Sequence, residues 1–441
     1  MRHRIRIVAI SATFWVIAGS AWGQSTQPTS ASQAASPQTL TLQQAEALAI
    51  QNHPQIQAAT YQAAAAKAEL TETKSAYYPT ANGSLTGVGA ETDSRVAAGA
   101  LNNPIIYDRY SNGVTVTQLL TDFGRTHELV KSSNLHAQAE QENVVTSRAD
   151  VLLAVDQAYF GVLRAQAVLS VAQETVKERQ LVSDQVTELE KNKIKSGLDV
   201  SFANVDLSQA QLLLVQAQNN LDASYAQLSM ALGYGEEKSF TLVESSVPPA
   251  PPLDFAELLQ QAIQNRPELI SMRLDANSAH SYALAERDLW FPTVAAAGVA
   301  GLTPAGADQL GTRYAAAGFN VNVPIFNGHL FGALRSEADA KARAQDQTLR
   351  AMQDQIVRDV RTAWLNANSD FKNLSITEQL LAAANQALDL AQSRYKLGLS
   401  SIIELSQAQL NQTQAQIAEA SAKYDYETAI STLNYQIGVL H

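Results

Sequence analysis

The chain carries one plan twice, and that duplication limits what it can fold into more than any other feature. Asn52-His53-Pro54 recurs as Asn265-Arg266-Pro267, and Tyr78-Pro79 as Phe291-Pro292; both pairs stand 213 positions apart (267 − 54 and 292 − 79). Leu207-Ser208-Gln209-Ala210-Gln211-Leu212 returns identically as Leu405-Ser406-Gln407-Ala408-Gln409-Leu410, and Leu232-Gly233 is answered by Ile437-Gly438. The spacing predicts two structural repeats, 39–235 and 253–441. Between them, residues 236–252 hold Pro248, Pro249, Pro251 and Pro252. No helix or central strand can contain that cluster, so it reads as a stiff connector.

Each copy reads as a helix, two strands, a very long helix, a tight turn and another long helix. From Val151 the apolar positions Val155, Ala158, Val162, Ala165, Leu169, Ala172 and Val176 follow at alternating fours and threes, the period of a coiled-coil seam. In the second copy Val360, Trp364, Ala367, Phe371 and Leu374 repeat it, and Leu380, Ala384, Ala387 and Ala391 add a second stripe, which implies neighbours on two sides. Long helices are expected over about 124–195, 200–233, 328–396 and 401–437. Neither of the two longest contains proline. About 70 residues at ~1.5 Å each make a rod ~105 Å long, which a compact globule cannot use. Both rods stop at a glycine turn, Lys195-Ser196-Gly197-Leu198-Asp199 and Tyr395-Lys396-Leu397-Gly398-Leu399-Ser400. A left-handed glycine ends each rod in this reading. Asp199 and Ser401 are the expected caps of the next helices, with Ser401-Ile402-Ile403-Glu404 as a capping box.

Four segments change to a period of two: about 80–90, 110–120, 293–301 and 314–325. Val114 and Val116 alternate with Thr115 and Thr117, and Phe319, Val321 and Val323 with Asn320 and Asn322, as in strands with one apolar and one polar face. Loops near 90–109 and 302–312 carry Gly99, Pro104, Pro304 and Gly306. About ten residues on a tilt match a hydrocarbon span, yet the smallest closed barrels need about eight strands, so four leave open edges and the chain must associate. Arg2, Arg4 and Arg6, the apolar run Ile7–Ala18 and Ala21-Trp22-Gly23 predict a secretory leader over 1–23. Its apolar run of about 12 residues is too short for a spanning helix, which needs about 20. Residues 24–38, rich in Ser, Gln, Ala and Pro, read as a flexible tail.

Composition removes several function classes. The net charge of −11, with no basic run beyond the first six residues, argues against nucleic acid as a partner. With no cysteine there is no thiolate metal site, disulfide or cysteine nucleophile. The seven histidines have no metal-ligand spacing and no nucleophile-elbow or phosphate-loop motif occurs, so no catalytic residue, metal or cofactor is expected and the chain does not read as an enzyme. Gly87-Val88-Gly89 lacks the third glycine of a dinucleotide site.

The leader, the duplicated order of elements, a proline at each entry to a strand pair, Val323-Pro324-Ile325-Phe326-Asn327-Gly328 before the second rod and Tyr395-Lys396-Leu397-Gly398-Leu399 at its tip together resemble the TolC-like outer-membrane efflux proteins of Gram-negative bacteria. The resemblance implies an all-α chain with a β-barrel portion. It further implies a homotrimer whose chains give four strands each to one transmembrane barrel in outer-membrane lipid, continued by an α-helical coiled-coil tunnel into the periplasm. The implied function is the exit duct of a tripartite efflux or type I secretion system, with a periplasmic adaptor and an inner-membrane pump of RND, ABC or MFS type as partners. A periplasmic adaptor or coiled-coil scaffold, which also has a leader and long hairpins, is the competing reading.

The same resemblance assigns tip residues. Tyr395 matches a tyrosine that tethers the closed state, with ordinary coiled-coil packing as its alternative. Glu404 falls where relatives place an acid ringing the constriction, with the capping box as its alternative. Gln407 and Ser400 stand where some relatives have a second acid and a tethering arginine, so this chain departs from that gate. Gly197, Leu198, Leu397, Gly398 and Leu399 match the pattern that adaptors engage, against plain turn chemistry.

Overall fold

A computed structural model describes residues 39–91, 94–95, 105–236, 238 and 240–440. The expected leader and tail, together with Gly99 and Pro104 of the first strand connection, lie outside the described residues. In chain order the elements are β1 (Thr39–Leu40), α1 (Leu42–Asn52), α2 (Pro54–Lys74), β2 (Thr80–Val88), β3 (Arg109–Thr121), α3 (Arg125–Lys191), α4 (Gly197–Ala231), β4 (Thr241–Leu242), α5 (Phe255–Asn265), α6 (Pro267–Arg287), β5 (Thr293–Gly306), β6 (Arg313–Asn322), α7 (Leu330–Lys396) and α8 (Ile402–Gln436). Each repeat thus opens with two helices rather than one, because the residue before proline leaves the helical region: His53 and Arg266 have ψ of 124° and 117°.

The two repeat signatures touch. Gly233 (φ +80°) and Gly438 (φ +73°) turn the chain after α4 and α8, and a Cβ there would stand 3.0 Å from His53 Cα and 2.8 Å from the Asn265 carbonyl carbon. In both halves a glycine turn therefore seats against the Asn-x-Pro corner, where only a missing side chain leaves room. Around these corners lie the two largest cores. One gathers Val151, Val155, Tyr159, Leu163, Leu228 and Leu232; the other Leu258, Leu269, Ile356, Val360, Leu433 and Ile437. The Tyr159 hydroxyl, fully buried, lies 2.9 Å and 2.6 Å from the Leu40 and Val243 carbonyls and accepts from the Val243 N–H, fastening the short parallel pair β1–β4. The proline connector is pinned from the second repeat: Trp364 Nε1 donates to the Pro252 carbonyl at 2.8 Å and the Tyr426 hydroxyl to that of Pro249 at 2.5 Å.

The other four strands form one antiparallel sheet in the order β2-β3-β5-β6. Its register sorts the side chains. Val116 pairs with Ala81 and Gly298, Gln118 with Ala296, and Ala296 with Phe319, so Leu85, Val114, Val116, Val294, Phe319 and Val321 share one face. Thr80, Ser84, Thr115, Thr117, Asn320 and Asn322 share the other. Phe319 is 82% exposed and Leu85 74%. β5 runs on to Gly306, beyond the expected end near 301, and takes in Pro304. That proline falls where the β3–β5 register shifts between Tyr110 and Asn112, a break that needs no ladder donor from it. Among the described residues no helix is long and apolar enough to cross a membrane, which bears on helices only.

Candidate functional site

The site proposed by sequence lies at the far ends of the two rods from the sheet, where both turns meet. α3 ends with the Ile194 N–H donating to the Leu189 carbonyl at 2.9 Å, and α7 ends with Leu399 donating to Arg394 at 2.8 Å. The same six-to-one closure needs a left-handed residue in both. In α7 it is Gly398 (φ +73°), but after α3 it is Lys193 (φ +56°), not Gly197. Gly197 instead opens α4 because Ser196 caps it: Ser196 Oγ accepts from the Asp199 N–H at 3.3 Å, and Asp199 Oδ2 accepts from the Ser196 N–H at 3.0 Å and its hydroxyl at 2.6 Å. Asp199 is therefore not the cap but the second half of a complete capping box.

At the other turn the box is half made. Ser401 Oγ accepts from the Glu404 N–H at 3.4 Å, but the Glu404 carboxylate turns to Arg394 Nε at 3.1 Å. Arg394 also donates to the Leu399 carbonyl, so it closes the turn from the rod side. A charge-assisted bond to guanidinium outcompetes a backbone N–H for that carboxylate. The second half of the box therefore gives way to a clasp of the turn.

Tyr395 joins the repeats. Its ring, 6% exposed, packs with Val186, Ala203, Leu388, Ala391, Ile402 and Leu405. Its hydroxyl donates to Asp199 Oδ1 at 3.4 Å, and Lys195 Nζ lies 3.7 Å over the ring while donating to the Tyr395 carbonyl at 3.3 Å. Burial, with the adjacent Asp199 charge, pushes the Tyr395 hydroxyl up to about 12. Partial burial pushes Asp199 up, but bonds from Ser196, the Lys195 charge and the Tyr395 hydroxyl together outweigh it and hold the carboxyl below its ordinary range.

Three cross-repeat bonds behind the tip involve residues that sequence reading did not single out in this role. Ser406 Oγ donates to Asp206 Oδ2 at 2.5 Å. Buried Arg179 sends Nη2 to the Gln409 carbonyl at 2.8 Å and to Thr413 Oγ1 at 3.0 Å. The identical hexapeptides starting at Leu207 and Leu405 pointed to this level of the two helices, but no local pattern marks Arg179. Leu198, Leu397 and Leu399 are 64%, 74% and 66% exposed, an apolar cap on the tip with no partner inside the described chain. Among the described residues no group of three or more His, Asp or Glu side chains is placed to hold a metal ion.

The family model described as outer membrane efflux protein matches residues 46–234 and 258–439, which is both repeats. The outer membrane protein TolC of Escherichia coli K12 is 24% identical over 358 residues, 74% of this chain and 72% of that protein. A crystal structure of a membrane protein from Pseudomonas aeruginosa shares the fold with a TM-score of 0.81, 20% identity and 90% of each chain covered. Crystal structures of CusC, described in connection with transmembrane channel formation, give 0.78 at 19% identity, covering 90% of this chain and 92% of that one.

Proposed function

The chain belongs to the outer membrane efflux protein family and is an outer-membrane protein, and from that premise we propose that it is the exit duct of a tripartite efflux or type I secretion system, carrying substrates from an inner-membrane pump across the periplasm to the outside. One observation carries the reading: four strands in register gather Leu85, Val114, Val116, Val294, Phe319 and Val321 on one face and Thr80, Ser84, Thr115, Thr117, Asn320 and Asn322 on the other, while among the described residues both edges, β2 and β6, stay unpaired. In hydrocarbon an unpaired edge is untenable, and a sheet with one lipid face and one wet face is the wall of a pore. Three copies close it, β6 of each pairing with β2 of the next, into a twelve-stranded barrel.

The helical rods then form the periplasmic tunnel, and the tip is its gate. Tyr395 to Asp199 holds the two repeats together at the tip in the resting state, and Arg394 to Glu404 keeps the second turn closed. Gly197, Leu198, Leu397, Gly398 and Leu399 form the surface that meets a periplasmic adaptor, and the pump, of RND, ABC or MFS type, sets the cargo. The adaptor reading has neither the family match nor a use for the apolar sheet face. In the test, protein extracted in detergent sediments as a trimer, shows heat-modifiable mobility and fractionates with outer membranes. A monodisperse monomer that retains its β content overturns the reading.

A further inference from the structure

On the wet face of the sheet, among the described residues of the four strands, only one aromatic side chain occurs, and it is folded away. Gly113 in β3 pairs with Gly301 in β5, and Gly301 pairs with Tyr314 in β6, so the three form one row across three strands at the end of the sheet remote from the helices. The Tyr314 ring lies along that row, over both glycines, and its hydroxyl donates to the Asn112 carbonyl at 3.3 Å. A Cβ on Gly113 would overlap the Tyr314 hydroxyl, and one on Gly301 would overlap the end of the ring and the Asn112 carbonyl. Two glycines inside sheet strands weaken them by leaving nothing to pack, and here the ring supplies the missing contact. The other positions of this face on either side of the row are Ser111, Thr115, Val299 and Ala316, none of which reaches far from the wall.

We propose that Gly113 and Gly301 are a recess that stows Tyr314 against the wall, and that this stowage sets the size of solute that passes the outer end of the lumen. The inference rests on the duct reading, which makes this face the lumen. In the trimer three such rings lie at one level; lifted off the wall, they would stand into the path together. Tyr314 is thereby a size-determining residue that the recess keeps out of the way.

The chain has no cysteine, so a single introduced thiol reports access. Thr115→Cys places one on the same face, one pair deeper than Gly113. In intact cells that thiol is labelled from outside by a small membrane-impermeant maleimide and by polyethylene glycol maleimides of rising size. Adding Gly113→Ala, whose clash is chiefly with the movable end of Tyr314, should leave small-reagent labelling unchanged and slow bulky-reagent labelling about threefold or more, as expected of a narrowed pore. Adding Tyr314→Ala to that variant should restore the parent rate. An unchanged size limit in Gly113→Ala, or a slowing that Tyr314→Ala does not relieve, overturns the recess. If Gly113→Ala fails to assemble, Tyr314→Trp replaces it: an indole too large for the recess should slow the bulky reagents, and an unchanged rate overturns the proposal equally. Absence of labelling of the introduced thiol by any reagent in the Thr115→Cys parent would instead remove the duct reading on which the proposal stands.

Discussion

Tyr395 and Asp199 are set up so that their link does not respond to ordinary pH. Asp199 is depressed in the folded chain, so its contribution is present above the usual aspartate range and is lost only as pH falls through that lowered value. Tyr395 is raised to about 12, so its hydroxyl stays a donor, and its contribution is full below the ordinary tyrosine range and lost as pH rises from there to about 12. Between pH 5 and 9 neither group changes state. We expect the closed-state conductance of the trimer in a planar bilayer to be flat across that window, and Tyr395→Phe, which removes a bond of about 1 kcal/mol, to raise it at every pH in the window. A sigmoidal pH response in the parent would show that another group holds the tip. Tyr395 was legible in sequence because it stands three residues before Gly398. Asp199 was visible only as a local cap, since its second role depends on a bond across 196 positions. Arg394, the partner that draws Glu404 out of its box, carried no sign at all: an arginine near a helix end is common, and which carboxylate it meets is decided by the fold of the turn.

The helical elements were legible in kind, because a heptad stripe and the absence of proline need no tertiary context. Their ends were less so. The same closure after both rods is met by glycine once and by lysine once, and no propensity argument puts a lysine in the left-handed region. Lys193→Gly should therefore relieve about 1 kcal/mol of strain, and Gly398→Val should introduce at least as much, with opposite shifts in the thermal unfolding of the tip. Hydrogen exchange of the turn amides checks both; equal protection in the two variants would mean that packing with Val186 and Ile402 overrides the backbone. Farther up, α1 and α8 press on α3 at Asp156, 2% exposed, where burial and the Glu46 charge, only partly offset by Ser431, raise the carboxyl to about 7. A raised acid binds its proton more tightly when folded, so stability falls as pH climbs from the usual aspartate range toward 7. Asp156→Asn should flatten that slope and raise the melting temperature at pH 8 more than at pH 5.5. A parent whose melting temperature does not drop between those values would show that Asp156 is charged at both.

At the scale of the whole molecule, the described chain has unfinished surfaces on elements that lack a neighbour. Alternation and strand number already implied open sheet edges. The matching helical edge was harder to see, because sequence shows a second stripe without saying whether its partner is in the same chain. α4 packs on α3 and α8 and leaves Leu198, Val205 and Leu212 exposed at intervals of seven, with Val215 beside them. α7 leaves Leu365, Ile376, Leu380 and Leu390 exposed. Heptad-spaced apolar residues in water need a facing helix, and among the described residues of one chain α4 has none on that side. In a closed trimer we expect the α4 seam of one chain to meet the α7 stripe of the next. Charging that seam tests it without disturbing a core, because Val205 and Leu212 are already 51% and 58% exposed in the single chain. The double variant Val205→Asp and Leu212→Asp should keep the helix content of the parent, and its trimer should come apart on heating several degrees earlier. The same pair placed on an outward, solvent-facing position of α4 would leave that transition alone. A trimer as heat-resistant as the parent would mean that the seam faces water in the assembly and that the tunnel is held together by the barrel and the cores alone.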